Sequence, residues 1–107
     1  MSDVVYEALL EAGALANDRF HVIAEHADNR LVFDRSYLGI QRSDCFVLVQ
    51  ITMNAGRELP QKKALFEAIA HGFELRAGVP REDVLINLVE VPKENWSFGN
   101  GVAQYAP

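Results

Sequence analysis

Residues Cys45–Arg57, CFVLVQITMNAGR, hold six apolar side chains: Phe46, Val47, Leu48, Val49, Ile51 and Met53. Gln50 is the only strongly polar residue inside the run. A run this short and this rich in β-branched residues reads as a strand covered on both faces. Asn54-Ala55-Gly56 is a turn signal that ends it. Arg57 then stands in the mouth of a loop, just before a helix that starts near Leu59 or Pro60. In an open α/β sheet, ligands bind at the carboxyl ends of the strands. A guanidinium there is suited to a carboxylate, which it meets with two parallel N–H donors. Cys45, at the start of the strand, reads as a small packing residue rather than a nucleophile.

On the carboxyl side, residues 59–78 pattern as a helix with Leu65, Phe66, Ile69 and Phe73 on one face. Pro60 is tolerable in its first turn, and Gly78-Val79-Pro80 ends it. Residues 83–91, DVLINLVEV, read as another strand, and the Asn-Gly step of Gly99-Asn100-Gly101 favours a tight hairpin. On the amino side, residues 3–12 form a short amphipathic helix with Val5, Leu9 and Ala12 on one stripe and Ala8 beside it, stopped by Gly13. Residues 19–26, RFHVIAEH, alternate and argue for a strand. Residues 27–44 form a long connection with little periodicity, of the kind that is functional or covers something.

The chain repeats itself at a constant offset of 65. Gly13, Asn17-Asp18 and the segment between them match Gly78 to Asp83, and Leu10, Ala12, Ile23 and Glu25 match Leu75, Ala77, Leu88 and Glu90. Each half reads helix, glycine turn, acidic residue, strand. The second half has a leading strand at 45–53; its counterpart in the first half falls ahead of Met1. The fold expected is therefore α+β, a tandem β-α-β repeat over residues 1–107 with its first strand missing. Both helices pack on one face of the sheet. The uncovered apolar face implies an oligomer.

Composition narrows the partners. A net charge of −5 argues against nucleic acid. One cysteine makes no internal disulfide, which suits a reducing, cytoplasmic setting. The acidic start lacks a signal-peptide n-region, and no apolar run approaches the roughly 20 residues of a membrane helix. His21, His26 and His71 do not converge at a metal-ligand spacing.

NDRFHVIAEH, FDRSYLGIQRSD, NAGRELPQKK and DVLINLVEVPKENWSFGNG together resemble the tautomerase superfamily, the fold of 4-oxalocrotonate tautomerase and macrophage migration inhibitory factor. The resemblance runs over nearly the whole chain and is nearest to the malonate semialdehyde decarboxylase-like branch. It implies a homotrimer and cofactor-free chemistry on a small 2-oxo or 3-oxo carboxylic acid: keto–enol isomerisation, decarboxylation or hydration. It implies catalytic roles for Asp18 and Arg57, and a substrate pocket of Arg57, Trp96 and Phe98; Tyr37, in the long connection, is placed to reach a neighbouring pocket and is a further candidate for substrate binding. Arg57 matches the second of two loop arginines; the first falls on Ala55. The base of the family is an amino-terminal proline. This chain starts Met1-Ser2-Asp3 and has prolines only at 60, 80, 92 and 107. Two readings follow: an enzyme whose proline-bearing strand lies upstream, or a module that has lost its base and survives by oligomerising or binding small acids.

Overall fold

The strand read around Val47 forms as β1, Val47–Asn54, in a computed structural model that describes residues 1–107. Around it lie α1, Ser2–Glu11; α2, Leu59–Gly72; and β2, Val84–Val91. β1 and β2 pair in parallel, with Val47 opposite Val84 and Asn54 opposite Val91. Strand periodicity sends Val47, Val49, Ile51 and Met53 toward the helices, where they meet Val84, Ile86 and Leu88. The opposite face carries Leu48, Leu85 and Val89, which are 54%, 39% and 38% exposed. Gln50 donates to the Asn87 carboxamide across that face at 3.2 Å. Within one chain β1 is thus covered on one face, not on both.

α2 starts where Gln61 accepts the Glu58 backbone N–H at 2.8 Å. It buries Leu65 and Ile69, and Phe73 just beyond its end. Phe66, expected on the same face, is half-buried and borders a groove with Val84 and Ile86. Beyond Gly72 the chain widens into a π turn, Phe73–Ala77. Gly78 ends it at φ +66°, and the Val79 N–H closes on the Phe73 carbonyl at 3.1 Å.

α1 lies across α2. Its buried residues are Val4 and Ala8, while Val5, Leu9 and Ala12 pack at the margin. The buried stripe is thus turned by one residue from the one expected. The 65-residue offset survives in three dimensions: Val4 and Ala8 correspond to Ile69 and Phe73, and all four are core residues.

Residues 19–26 do not form a strand. No backbone N–H or C=O of residues 20–26 has a backbone partner. The alternation is there, but a strand exists only as a pair, and the sheet offers this segment no neighbour.

The long connection 27–44 is held by specific bonds. Asp83, 1% exposed, accepts both the backbone N–H and the hydroxyl of Ser43 at 2.6 Å. Arg42 donates to the carbonyls of Asp34, Tyr37 and Ile40, pinning the loop from inside. Cys45 is exposed in the turn ahead of β1. Phe46 takes the buried place, stacked on Phe33 at 4.2 Å. At the tail, Gly99-Asn100-Gly101 makes a tight turn but no hairpin: its arms form no ladder, and the Gln104 side chain bonds Phe98 N–H and Gly99 C=O instead. No helix is long and apolar enough to cross a membrane.

Candidate functional site

Arg57 follows β1 at its carboxyl end, and the β1–α2 turn holds its side chain half-buried. Its Nε donates to the Ala12 carbonyl, the cap of α1, at 3.2 Å. Its two terminal nitrogens have no protein partner. The guanidinium is therefore anchored by its stem and open at its fork, a geometry suited to a carboxylate. Arg57 does not pair with its neighbour Glu58, whose backbone N–H is engaged by Gln61.

Trp96 reaches the same end of the sheet from the segment after β2. Its indole N–H donates to Asn54 Oδ1 at 2.6 Å. Phe98 stacks on Trp96 at 5.4 Å, and Tyr105 meets Phe98 edge-on at 5.0 Å. Phe20 adds a fourth ring at 6.0 Å from Phe98. The result is an apolar wall beside a cationic anchor. Sequence reading found Trp96 and Phe98. It missed Tyr105 and the Asn54 bond, because Asn54 reads as a turn residue and its partner lies 42 positions away.

Charge near the anchor is arranged by β2. Glu90 pairs with Lys62 of α2. Lys62 beside it, helped by the Gly56 backbone and by Arg57, holds the Glu90 carboxyl below the ordinary range. Near α1, burial and then Arg19 hold His21 below the usual imidazole value; Ser2 Oγ lies 2.7 Å from its Nδ1.

Asp18 follows the end of α1 by a short turn and is exposed. Its carboxylate forms no hydrogen bond or ion pair with another side chain. Its repeat counterpart Asp83 is the buried clamp on Ser43, so the two aspartates share a position in the repeat but not a role. Tyr37, 63% exposed, lies in a cleft of about 300 Å³ with Phe33, Phe46 and Leu48, beside the start of β1. Arg57 follows its end, and eight strand residues span roughly 23 Å. Arg57 and the aromatic wall thus share one end of a single chain, and Tyr37 sits at the other.

The family model described as "Tautomerase enzyme" matches residues 18–99. The "Probable tautomerase YusQ" of Bacillus subtilis (strain 168) is 34% identical over 105 residues, covering 97% of this chain and 83% of the relative. Two solved structures align over 97% of this chain. One is malonate semialdehyde decarboxylase, solved in wild-type, mutant and inactivated forms to explain decarboxylase and hydratase activities; it has 30% identity, a TM-score of 0.89 and 81% of its own chain covered. The other is FG41 malonate semialdehyde decarboxylase inhibited by 3-bromopropiolate, at 35% identity, a TM-score of 0.90 and 79% coverage. The helix–turn–strand repeat, the loop arginine and the carboxy-terminal aromatic segment thus find their place together: the chain belongs to the tautomerase family.

Proposed function

We infer that this domain moves a proton between carbon and oxygen or carbon and carbon on a small 2-oxo or 3-oxo carboxylic acid. Keto–enol tautomerisation is the core step, with decarboxylation or hydration as its variants on the same enolate. The observation that carries this reading is the open fork of Arg57 beside the wall of Trp96 and Phe98. Arg57 anchors the substrate carboxylate and stabilises charge as the enolate forms. The wall excludes water, which strengthens that interaction. Asp18 assists by orienting the reacting carbonyl or a water.

The base is an amine: that of an amino-terminal proline on a strand ahead of α1. Its neutral form takes the proton from the substrate carbon and returns it at the new position. A cationic, dry pocket lowers such an amine's pKa toward neutrality. The assembly is a trimer, in which Tyr37 and its loop reach a neighbour's pocket.

The second reading is a small-acid-binding or oligomerising module without catalysis. It is favoured by Ala55, which leaves Arg57 without a second arginine. Kinetics with phenylenolpyruvate and 2-hydroxymuconate separate the two. Negligible turnover is expected from the 107-residue chain, and activity from a version carrying an upstream Met-Pro strand, lost on Pro→Ala. In that active version, Arg57→Ala is expected to lower kcat/KM by the equivalent of about 2–5 kcal/mol. An unchanged kcat/KM would remove Arg57 from the site. Robust turnover by the short chain, lost on Asp18→Ala or Arg57→Ala, would overturn the proline base.

A further inference from the structure

β1 ends on Asn54, and the sheet holds it there. Asn54 lies opposite Val91, and the next residue, Ala55, donates its backbone N–H to the Val91 carbonyl at 2.9 Å. After β2 the chain makes one short helical turn, Lys93–Asn95, and brings Trp96 back to the same place. There the Trp96 indole N–H donates to Asn54 Oδ1 at 2.6 Å. An indole nitrogen donates and never accepts, so it selects one orientation of the carboxamide. With Oδ1 taken, Nδ2 is turned the other way. Nδ2 has no protein partner, and solvent reaches it.

Asn54 and Arg57 flank Ala55-Gly56, and no side chain between them is longer than a methyl. Strand alternation turns Asn54 away from the helices, opposite to Met53. Arg57 is anchored on the helix side, at the Ala12 carbonyl. The mouth of the loop thus has an open guanidinium fork on one side and an oriented amide on the other. The backbone between them spans at most roughly 11 Å, a gap that two side chains and a small acid bridge.

We propose that Asn54 is a substrate-binding residue: its Nδ2 donates to the 2-oxo oxygen of an acid whose carboxylate lies on Arg57. This rests on the reading of Arg57 as the carboxylate anchor. The two groups divide the work by charge. A carboxylate is matched by a cation with paired donors. An oxo oxygen is neutral until the enolate forms. A fixed, neutral amide suits it from the start and bonds it more strongly as charge develops. Ala55 puts no second guanidinium in the mouth, so the amide stands as the second donor. Asn54 therefore favours acids with an oxo group beside the carboxylate over the same acids without one. Trp96 acts through Asn54 as a positioning residue, besides forming the wall.

The test reads the amide itself. The 107-residue chain, labelled with nitrogen-15, is followed by NMR while phenylpyruvate is added. A second titration uses 3-phenylpropionate, which keeps the ring and the carboxylate and lacks the oxo group. The Asn54 side-chain signals are identified by their loss in Asn54→Asp, which keeps an acceptor for the indole and removes the donor. Phenylpyruvate is expected to move them, and 3-phenylpropionate to leave them nearly in place. The wild-type chain is expected to bind the oxo acid about three- to tenfold more tightly. Asn54→Asp and the uncharged Asn54→Leu should bring that ratio close to one. A purely structural role would weaken both acids together and keep the ratio. The proposal is overturned if a folded Asn54 variant keeps the ratio, if both acids move the amide signals equally, or if neither moves them. Arg57→Ala separates the two readings, since it should weaken both acids alike. If it weakens neither, the anchor fails, whereas a ratio lost only at Asn54 still assigns the oxo group to the amide.

Discussion

Asp18 and Asp83 show how far a single residue can be read. Both follow a glycine turn, and the 65-residue repeat gives both the same position. The structure buries Asp83 under two bonds from Ser43, 40 positions away, and leaves Asp18 in solvent. Nothing local to Asp83 specifies a partner so distant, which is why only the fold reveals it. Asp83→Ala removes the buried acceptor of both Ser43 bonds; urea denaturation should show a loss of about 1–3 kcal/mol. Asp18→Ala should change stability little. Arg57 was legible because its chemistry and its place after a strand coincide; Tyr37's place beside the start of β1 was not, since the long connection has no period to read. His21 adds a pH effect. Its folded-state pKa is depressed, so the unfolded chain binds the proton more readily. Stability should fall as pH drops through the unfolded value of about 6.5 and level off below the folded one. Urea midpoints across that range should lose this component in His21→Gln.

At the scale of elements, periodicity was a good guide to what forms and a poorer one to what each element touches. β1 and β2 were found within two residues of their ends, because each carries a sustained pattern and a clear stop; α2 starts where expected but ends at Gly72, and the rest of the expected helix, Phe73–Ala77, is a π turn. Residues 19–26 carry the pattern of a strand, but a ladder needs a partner that no pattern supplies. The α1 stripe turned by one residue because the crossing with α2 sets its rotation. That crossing has an identifiable centre at Gly72. A Cβ there would lie 2.5 Å from Val4 Cγ1, and valine is short and stiff at χ1. Helix propensity favours Gly72→Ala by up to about 1 kcal/mol, but the overlap should win and leave a net loss of about 1–3 kcal/mol. Thermal or urea unfolding of Gly72→Ala in the Val4→Ala background should recover most of that. Equal losses in both backgrounds would place the strain elsewhere.

For the whole molecule, the α+β repeat with both helices on one face was legible, because one offset relates the halves. Light scattering is expected to give a species near three times 11.9 kDa. A well-folded monomer at micromolar concentration would mean that Leu48, Leu85 and Val89 are tolerated in water. Aggregation without a defined size would point instead to the open edge of β1. The clefts lined by Tyr37 and by Phe66 do not include Arg57 or Trp96. One bond at that place has an optical consequence. Trp96 is the sole tryptophan in the chain, its indole N–H is held by Asn54, and its ring lies against Phe98. The protein therefore carries a single tryptophan fluorophore, and it stands at the candidate site. Subunit assembly and acid binding can each be followed by its emission, with no label to disturb them.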